Sequence, residues 1–435
     1  MLGQIGYTFS ALFRESGFAA MNDWRYWVMI MLSCVLIYLG VAKGVEPLLM
    51  LPIAFGMLLA NLPLSGILNP PVQEMQLLEY LLINDEYVRV TPEIIEAVRN
   101  GIPPYIDTLG LGESFAIEGN QLFRVATQPA GLLFYFYLGI GLVVFPPLIF
   151  LGVGAMIDFG PLIAFPSSFI IGAAAQLGIF ATFLGALIWG FTPQESSAIA
   201  IIGSADGPTT IFVTASLAPH LLGSVAIAAY TYMALVPIIQ PPFMKLLTND
   251  KERRVVMKQL RPVSKTERCV FPIVSALGVA LLVPQATPLL GMLMLGNLIK
   301  ESGVAERLSK TVQNEMINIV TILLGLAVGS TARAENFLTI TTLLIIGLGL
   351  AAFILSTIAG VLIAKIMCHV TGGKVNPLIG SAGVSAMPMA ARVSQQVGAK
   401  YDPNNFLLMH AMGPTVSATI GSAVVAGAMI ALLGR

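Results

Sequence analysis

Charge is what this chain most lacks. Only 11% of its 435 residues are Asp, Glu, Lys or Arg, against about 25% in soluble domains, while hydrophobic residues make up 56%. Five tracts carry no charged side chain at all: Tyr26–Val41, Phe159–Gln194, Gly207–Met244, Asn336–Ala364 and Pro403–Gly434. A bilayer crossing needs roughly 20 apolar residues, so several of these tracts hold one or two crossings, and the chain is read as a polytopic membrane protein. The formal net charge is zero, which leaves no global field to attract nucleic acid, and no nucleic-acid partner is expected. Cysteine is scarce too. Cys34, Cys269 and Cys368 are odd in number and sit in or beside apolar segments, as reduced packing residues rather than a disulfide framework. The N-terminus also lacks the basic region, short apolar core and small-residue cleavage site of a signal peptide. The first apolar run is therefore expected to remain as a span.

What is abundant is Gly (42) and Pro (27). In a membrane, Gly lets helices approach closely, and Pro breaks a helix where a neighbour or cavity satisfies the freed backbone. Two polar interruptions divide the chain. Residues 66–130 carry nine acids (among them Asp85, Asp107 and Glu113) against three arginines, and read as an extramembrane insertion, partly helical around Pro92 to Arg99. Residues 245–268 carry eight basic residues against three acids; a short basic loop between spans belongs in the cytoplasm, and it also serves as a solvated linker.

The halves on either side of that linker echo each other. PLLMLPIAFGMLLANL from Pro47 resembles PLLGMLMLGNL from Pro288, an offset of 241; Val153-Gly154-Ala155 resembles Val328-Gly329-Ser330, offset 175; IGSA recurs at Ile202 and Ile379, offset 177, and again at Ile420. The offset falls by 64 across a 65-residue insertion found only in the first half. The expected organisation is thus first spans of repeat 1 over 1–65, the acidic insertion over 66–130, the rest of repeat 1 over 131–244, the linker over 245–268 and repeat 2 over 269–435. The fold class is all-α polytopic, with two inverted repeats, broken or re-entrant helices, and a transporter-like core and scaffold. Such repeats place substrate and ion sites at their interface near the midplane.

One aspartate stands inside membrane-grade sequence. Asp206, in AIAIIGSADGPTTIFV, precedes Gly207-Pro208, a helix break. A carboxylate at bilayer depth costs several kcal/mol unless paired, hydrated or bound to a cation. With freed carbonyls and the hydroxyls of Ser204, Thr209 and Thr210 it forms a cluster of hard oxygen ligands suited to a hard cation. The alternative is a plain helix cap or a loop position. The counterpart segment, Asn376 to Asn405, supplies Asn376, Ser381 and Ser385, the break at Pro388, and Arg392, whose planar cation suits a carboxylate. Arg392 is alternatively an ion-pair partner of Asp206 or a side chain reaching to the surface. These features leave open a sodium-coupled secondary carrier (a sodium/proton antiporter or carboxylate symporter) with no bond cleaved. A mere membrane anchor has no use for a buried acid and base.

GSADGPT, NPLIGSAGVSAMPMAARV, HAMGP, FPPLIFLGVGAMIDFGPL and QPPFMKLLT are similar to the β subunit of the biotin-dependent, sodium-pumping decarboxylases of oxaloacetate, methylmalonyl-CoA and glutaconyl-CoA. The likeness runs from about Trp24 to the C-terminus. It implies a multi-pass protein of a bacterial cytoplasmic membrane that decarboxylates carboxybiotin brought by a separate carrier, consumes a proton and exports sodium. It carries sodium-site roles to Asp206, Asn376, Gly380 and Ser385. Catalytic roles fall on Arg392, Tyr232 and Ser385, with carboxybiotin held by Arg392 and Tyr232; Tyr232 is otherwise read as a packing aromatic like Tyr230. After HAMGP this chain has Thr415 where the family has asparagine, so the ligand there changes. The implied partners are a biotin carrier/carboxyltransferase subunit, a small membrane subunit, membrane lipid and further copies of this chain within the complex. The chain carries no biotin of its own: the nearest look-alike of a biotinylation site, Ala386-Met387-Pro388-Met389, has proline where lysine is required.

Overall fold

The computed structural model describes residues 16–44, 47–77, 80–83, 86–99, 114–118 and 121–434. Asp85, Asp107 and Glu113 of the acidic insertion lie outside them. The chain divides into two compact units, 66–135 and the remainder.

The larger unit is helical. After a single turn at Gly17–Ala20 come α1 (Trp24–Lys43), capped by the Asp23 carboxylate at its start and by Gly44 in the left-handed region at its end, and α2 (Pro47–Ala60). After the insertion come α4 (Leu132–Gly141) and α5 (Phe145–Met156), bent by 72° to each other, then the span α6 (Ser168–Ile188). Next follow α7 (Pro193–Ala200), a 3-10 turn at Ile201–Ser204, α8 (Gly207–Leu217) and α9 (Leu222–Leu247). Beyond the linker lie α10 (Lys265–Leu282), α11 (Thr287–Ser302) and α12 (Glu306–Thr331), which contains a π-helical turn at Val312–Met316. Finally come α13 (Ile340–Val370), a 3-10 segment at Pro377–Gly383, α14 (Met389–Ala399) and α15 (Leu408–Leu433). Among the described residues six helices are long and apolar enough to cross a bilayer, and up to seven if the bent pair α4–α5 makes one span. The membrane portion is therefore all-α and multi-pass, as expected.

The smaller unit holds the elements that composition did not foretell. Strands β1 (Val72–Leu77), β4 (Ser114–Glu118) and β5 (Gln121–Gln128) form an antiparallel sheet in the order β1-β5-β4, and β2 (Tyr80–Ile83) pairs with β3 (Glu86–Arg89). The one expected helix is present as α3 (Pro92–Arg99).

In lipid, helices gain little by hiding apolar surface from one another, so backbone approach over small residues holds them. Two such pairs dominate here. Helix α2 packs on α12: a Cβ on Gly329 would lie 2.0 Å from the Ile53 carbonyl oxygen. Helix α5 packs on α11: a Cβ on Gly154 would lie 1.9 Å from the Leu293 carbonyl oxygen. The Asn61 amide donates to Ala332 O at 2.8 Å, just past the end of α12. The Asn297 amide donates to Ile157 O at 3.1 Å, just past the end of α5. Each helix that carries a repeat marker in one half thus lies against the other marker's helix from the opposite half, and an asparagine closes each pair in the same way.

Gly154→Ala is expected to cost about 1–3 kcal/mol, because the added methyl meets rigid backbone. Gly185→Ala in α6, where a Cβ meets nothing within 4 Å, is expected to be neutral or to stabilise by up to about 1 kcal/mol. Thermal unfolding of the two detergent-purified variants compares them directly.

Candidate functional site

The helical run through α7 ends in the 3-10 turn at Ile201–Ser204, whose Ser204 hydroxyl turns back to Ile201 O at 2.7 Å. Ala205 then adopts φ 54° and ψ 42°, a left-handed conformation that costs a residue with a Cβ of order 1 kcal/mol and reverses the chain. The reversal sets Asp206 as the N-cap of α8. The second segment repeats the pattern: Ser381 turns back to Leu378 O at 3.0 Å in the 3-10 turn Pro377–Gly383. The two interruptions meet where Ser385 N–H donates to Ser204 O at 2.9 Å.

Asp206 is 5% exposed. One carboxylate oxygen accepts from Thr209 N–H at 3.3 Å; the other accepts from the hydroxyls of Ser385 at 3.1 Å and Ser422 at 2.8 Å. Ser385 also bonds the Thr419 hydroxyl at 2.9 Å. Asp206 does cap a helix, but it does so inside the protein, and among the described residues no Lys, Arg or His pairs with it. Thr419 and Ser422 lie roughly 17–21 Å along α15 from its first residue, by helix rise, near the middle of that 26-residue span.

A cavity of about 430 Å³ opens on this point. Asp206, Ser385 and Thr419 form one wall, Tyr230 and Met233 of α9 another, and α2, α5 and α12 the rest. Tyr230 stands over Gly207 so closely that a Cβ there would fall 2.2 Å from its ring.

The structure thus brings Asp206 and Ser385 together and puts the other expected residues elsewhere. Thr415 is buried one turn from Thr419 and donates to Ala382 O at 2.8 Å and Ala411 O at 3.1 Å. Gly380 presses on α13, where a Cβ would meet Gly360 O at 2.3 Å. The Asn376 side chain faces the linker: its amide donates to Arg253 O at 3.0 Å and Val255 O at 2.8 Å, while its carbonyl caps Leu378 N–H at 2.9 Å. Tyr232 sits two residues from Tyr230 and so projects from another face of α9; its hydroxyl donates to Ile346 O of α13, and it does not line the cavity. Arg392 is exposed on α14 and pairs with no acid among the described residues, so it is not the partner of Asp206. Its N–H donates to Pro388 O at 3.1 Å, one turn beyond the cavity wall that Met387 and Pro388 form.

Sequence reasoning missed Thr419, Ser422 and the cavity side of Tyr230. Ser422 belongs to the third IGSA, and Thr415, Thr419 and Ser422 recur at i, i+4 and i+7, one polar stripe on an apolar helix.

The linker is folded over the second segment. His410 meets Lys258 O at 2.8 Å and the Asn405 amide donates to Val255 O at 2.8 Å. Arg253 is buried there, stacked over Tyr401 with its guanidinium 4.8 Å from the ring centre. At the linker's end the Arg261 guanidinium, with Ser264 N–H assisting, holds the Glu267 carboxyl down at about 2.

The family model described as Na+-transporting oxaloacetate decarboxylase beta subunit matches residues 25–433. The chain belongs to that family. It is 51% identical over 424 residues to the methylmalonyl-CoA decarboxylase subunit beta of Propionigenium modestum, covering 97% of this chain and 98% of that one. It is 49% identical over 425 residues to the glutaconyl-CoA decarboxylase subunit beta of Acidaminococcus fermentans, covering 98% and 97%. With the oxaloacetate decarboxylase beta chain of Klebsiella pneumoniae the identity is 52% over 415 residues, covering 93% and 94%. The beta subunit described here is accordingly a membrane component of a sodium-pumping decarboxylase, as the motifs implied, and the reading as a carrier without bond cleavage gains no support.

Ser422→Ala removes one of the three donors to a buried carboxylate, and is expected to cost about 1–3 kcal/mol. A lowered thermal midpoint of the purified beta subunit, with Thr214→Val as a control for losing a helix-internal hydroxyl that donates to Thr210 O, measures it.

Proposed function

We propose that the crossing at Asp206 is where sodium passage and carboxybiotin decarboxylation are coupled. The observation that carries this reading is a buried carboxylate, ringed by hydroxyls and lacking a basic side-chain partner among the described residues, at the wall of a cavity. Asp206, Ser385, Thr419 and Ser422 present the hard oxygens that a sodium ion requires. With the ion present, the charge of Asp206 is balanced and burial ceases to be costly. Thr415, Asn376 and Gly380 support this set by holding the second interruption in shape rather than by reaching the ion.

Carboxybiotin is a carbamate anion whose loss of carbon dioxide leaves a ureido nitrogen that takes up a proton. Arg392, a fixed cation one turn past the cavity wall, receives the carboxylate as the group enters. Tyr230, which lines the cavity, is better placed than Tyr232 to pass a proton inward; Tyr232 holds α9 to α13. The biotin arrives on a separate carrier/carboxyltransferase subunit docked on the linker face, with a small membrane subunit and further copies of this chain completing the assembly. Near-equal identity to beta subunits whose complexes act on three different acyl substrates supports a step common to all three, with the acyl group chosen by another chain. We further propose that the two halves are inverted repeats, which the reciprocal α2–α12 and α5–α11 pairing supports.

Reconstituted in vesicles, the Asp206→Asn complex is expected to assemble but to lose sodium activation of decarboxylation and radioactive sodium uptake together, by at least about a hundredfold, the scale of losing a charged ligand. Arg392→Ala is expected to abolish carboxybiotin breakdown while sodium binding persists. Undiminished sodium dependence in Asp206→Asn defeats the reading.

A further inference from the structure

The wall of the cavity opposite Asp206 is polar in a way neither the motifs nor the ion explains. Gln313, Asn314, Asn318 and Thr321 of α12 line it. Their spacing of i, i+1, i+5 and i+8 puts them on one helix face, and the π-helical turn at Val312–Met316 sits where that face begins; such turns recur at functional sites. These residues occupy the eighth to sixteenth positions of a 26-residue candidate span.

The hydrogen bonds show what is spent and what is spare. The Gln313 amide donates to Ser309 Oγ at 2.9 Å and the Asn314 amide to Lys310 O at 2.9 Å, which leaves both side-chain carbonyl oxygens as acceptors. The Asn318 carboxamide and the Thr321 hydroxyl make no hydrogen bond among the described residues. Among the described residues no Lys, Arg or His lines the cavity, so this wall offers paired donors and acceptors without charge. Leu48, Leu49, Phe150 and Val153 add apolar surface beside it.

We propose that this face of α12 is the recognition wall for the ureido ring of the incoming biotin, an inference that rests on the function proposed above. A cyclic urea is neutral and presents a carbonyl acceptor next to an N–H donor, which is the complement of a row of carboxamides. The Asn318 and Thr321 donors meet the ureido oxygen, the Gln313 and Asn314 oxygens meet the ring N–H, and the apolar side takes the thioether ring. A cavity of about 430 Å³ is of the size that holds a small bicyclic ligand. The ring is thereby turned so that its carboxylated nitrogen faces the wall that carries Asp206. These are positioning residues: they orient the group on which the chemistry occurs.

Free biotin, which has the ureido ring but no carboxyl group on nitrogen, is the probe. It is titrated calorimetrically into the purified complex at saturating sodium, so that a change in ion affinity does not register. Asn318 is exposed in the ligand-free chain, and Asn318→Leu is expected to weaken biotin binding about tenfold, the scale of losing a hydrogen bond to a ligand that covers it. Asn318→Gln is expected to recover most of the affinity, and the sodium concentration for half-maximal activation is expected to stay within about twofold of the parent value. Thr321→Val, which alters shape little, is expected to weaken biotin binding about threefold to tenfold, and carries the same test should Asn318→Leu fail to assemble. Unchanged biotin affinity in Asn318→Leu and Thr321→Val overturns the inference while leaving the role of Asp206 standing. A failure of that role registers separately, as intact sodium activation in Asp206→Asn.

Discussion

A backbone that leaves helical geometry inside a membrane must find partners within the protein, because lipid supplies none. Here the two departures supply each other. The Ser385 N–H to Ser204 O bond joins the two 3-10 segments directly, and serines at matched positions, Ser204 and Ser381, fold back on carbonyls that each break would otherwise strand. The carboxylate of Asp206, the hydroxyl of Ser385 and the stripe on α15 are where they are because this crossing holds them there. Both segments also lean on α13, one against Ala352 and the other against Gly360. The pair is fixed to a common support as well as to itself.

The rest of the unit follows the same economy. Glycines at 154 and 329 let carbonyls of neighbouring helices come into direct contact, and Asn61 and Asn297 bond the buried carbonyls at the helix ends. The exchange of helices between halves means that neither half completes its own packing.

Much of this was legible in the residues. Charge-free tracts marked five of the six candidate spans but not Glu306–Thr331, the Asp206-Gly207-Pro208 and Pro388 breaks located the interruptions, and GSADGPT with NPLIGSAGVSAMPMAARV pointed to the family. Other parts were not legible, for physical reasons. The strands of 72–128 lay under an acidic composition that signals solvation more strongly than pairing. Tyr232 and Tyr230 differ by two positions, and only packing decides which faces the cavity. Asn376 looks like an ion ligand by type, yet its amide is spent on the linker's carbonyls. The third IGSA, which falls outside the offset of the other two, holds the Ser422 that bonds Asp206 most closely among the side chains. A helix of uniform hydropathy hides a functional stripe until its neighbours are known.

That the cavity presents one acid and no base among the described residues has a thermodynamic corollary. On the function proposed above, a cation held by Asp206 improves the reception of an anion beside it, and by reciprocity the anion tightens the cation's hold by an identical factor. Destroying the anion's charge then weakens that hold by the same amount. On the function proposed above, release of the ion then follows from the linkage between the two ligands, with no separate signal needed.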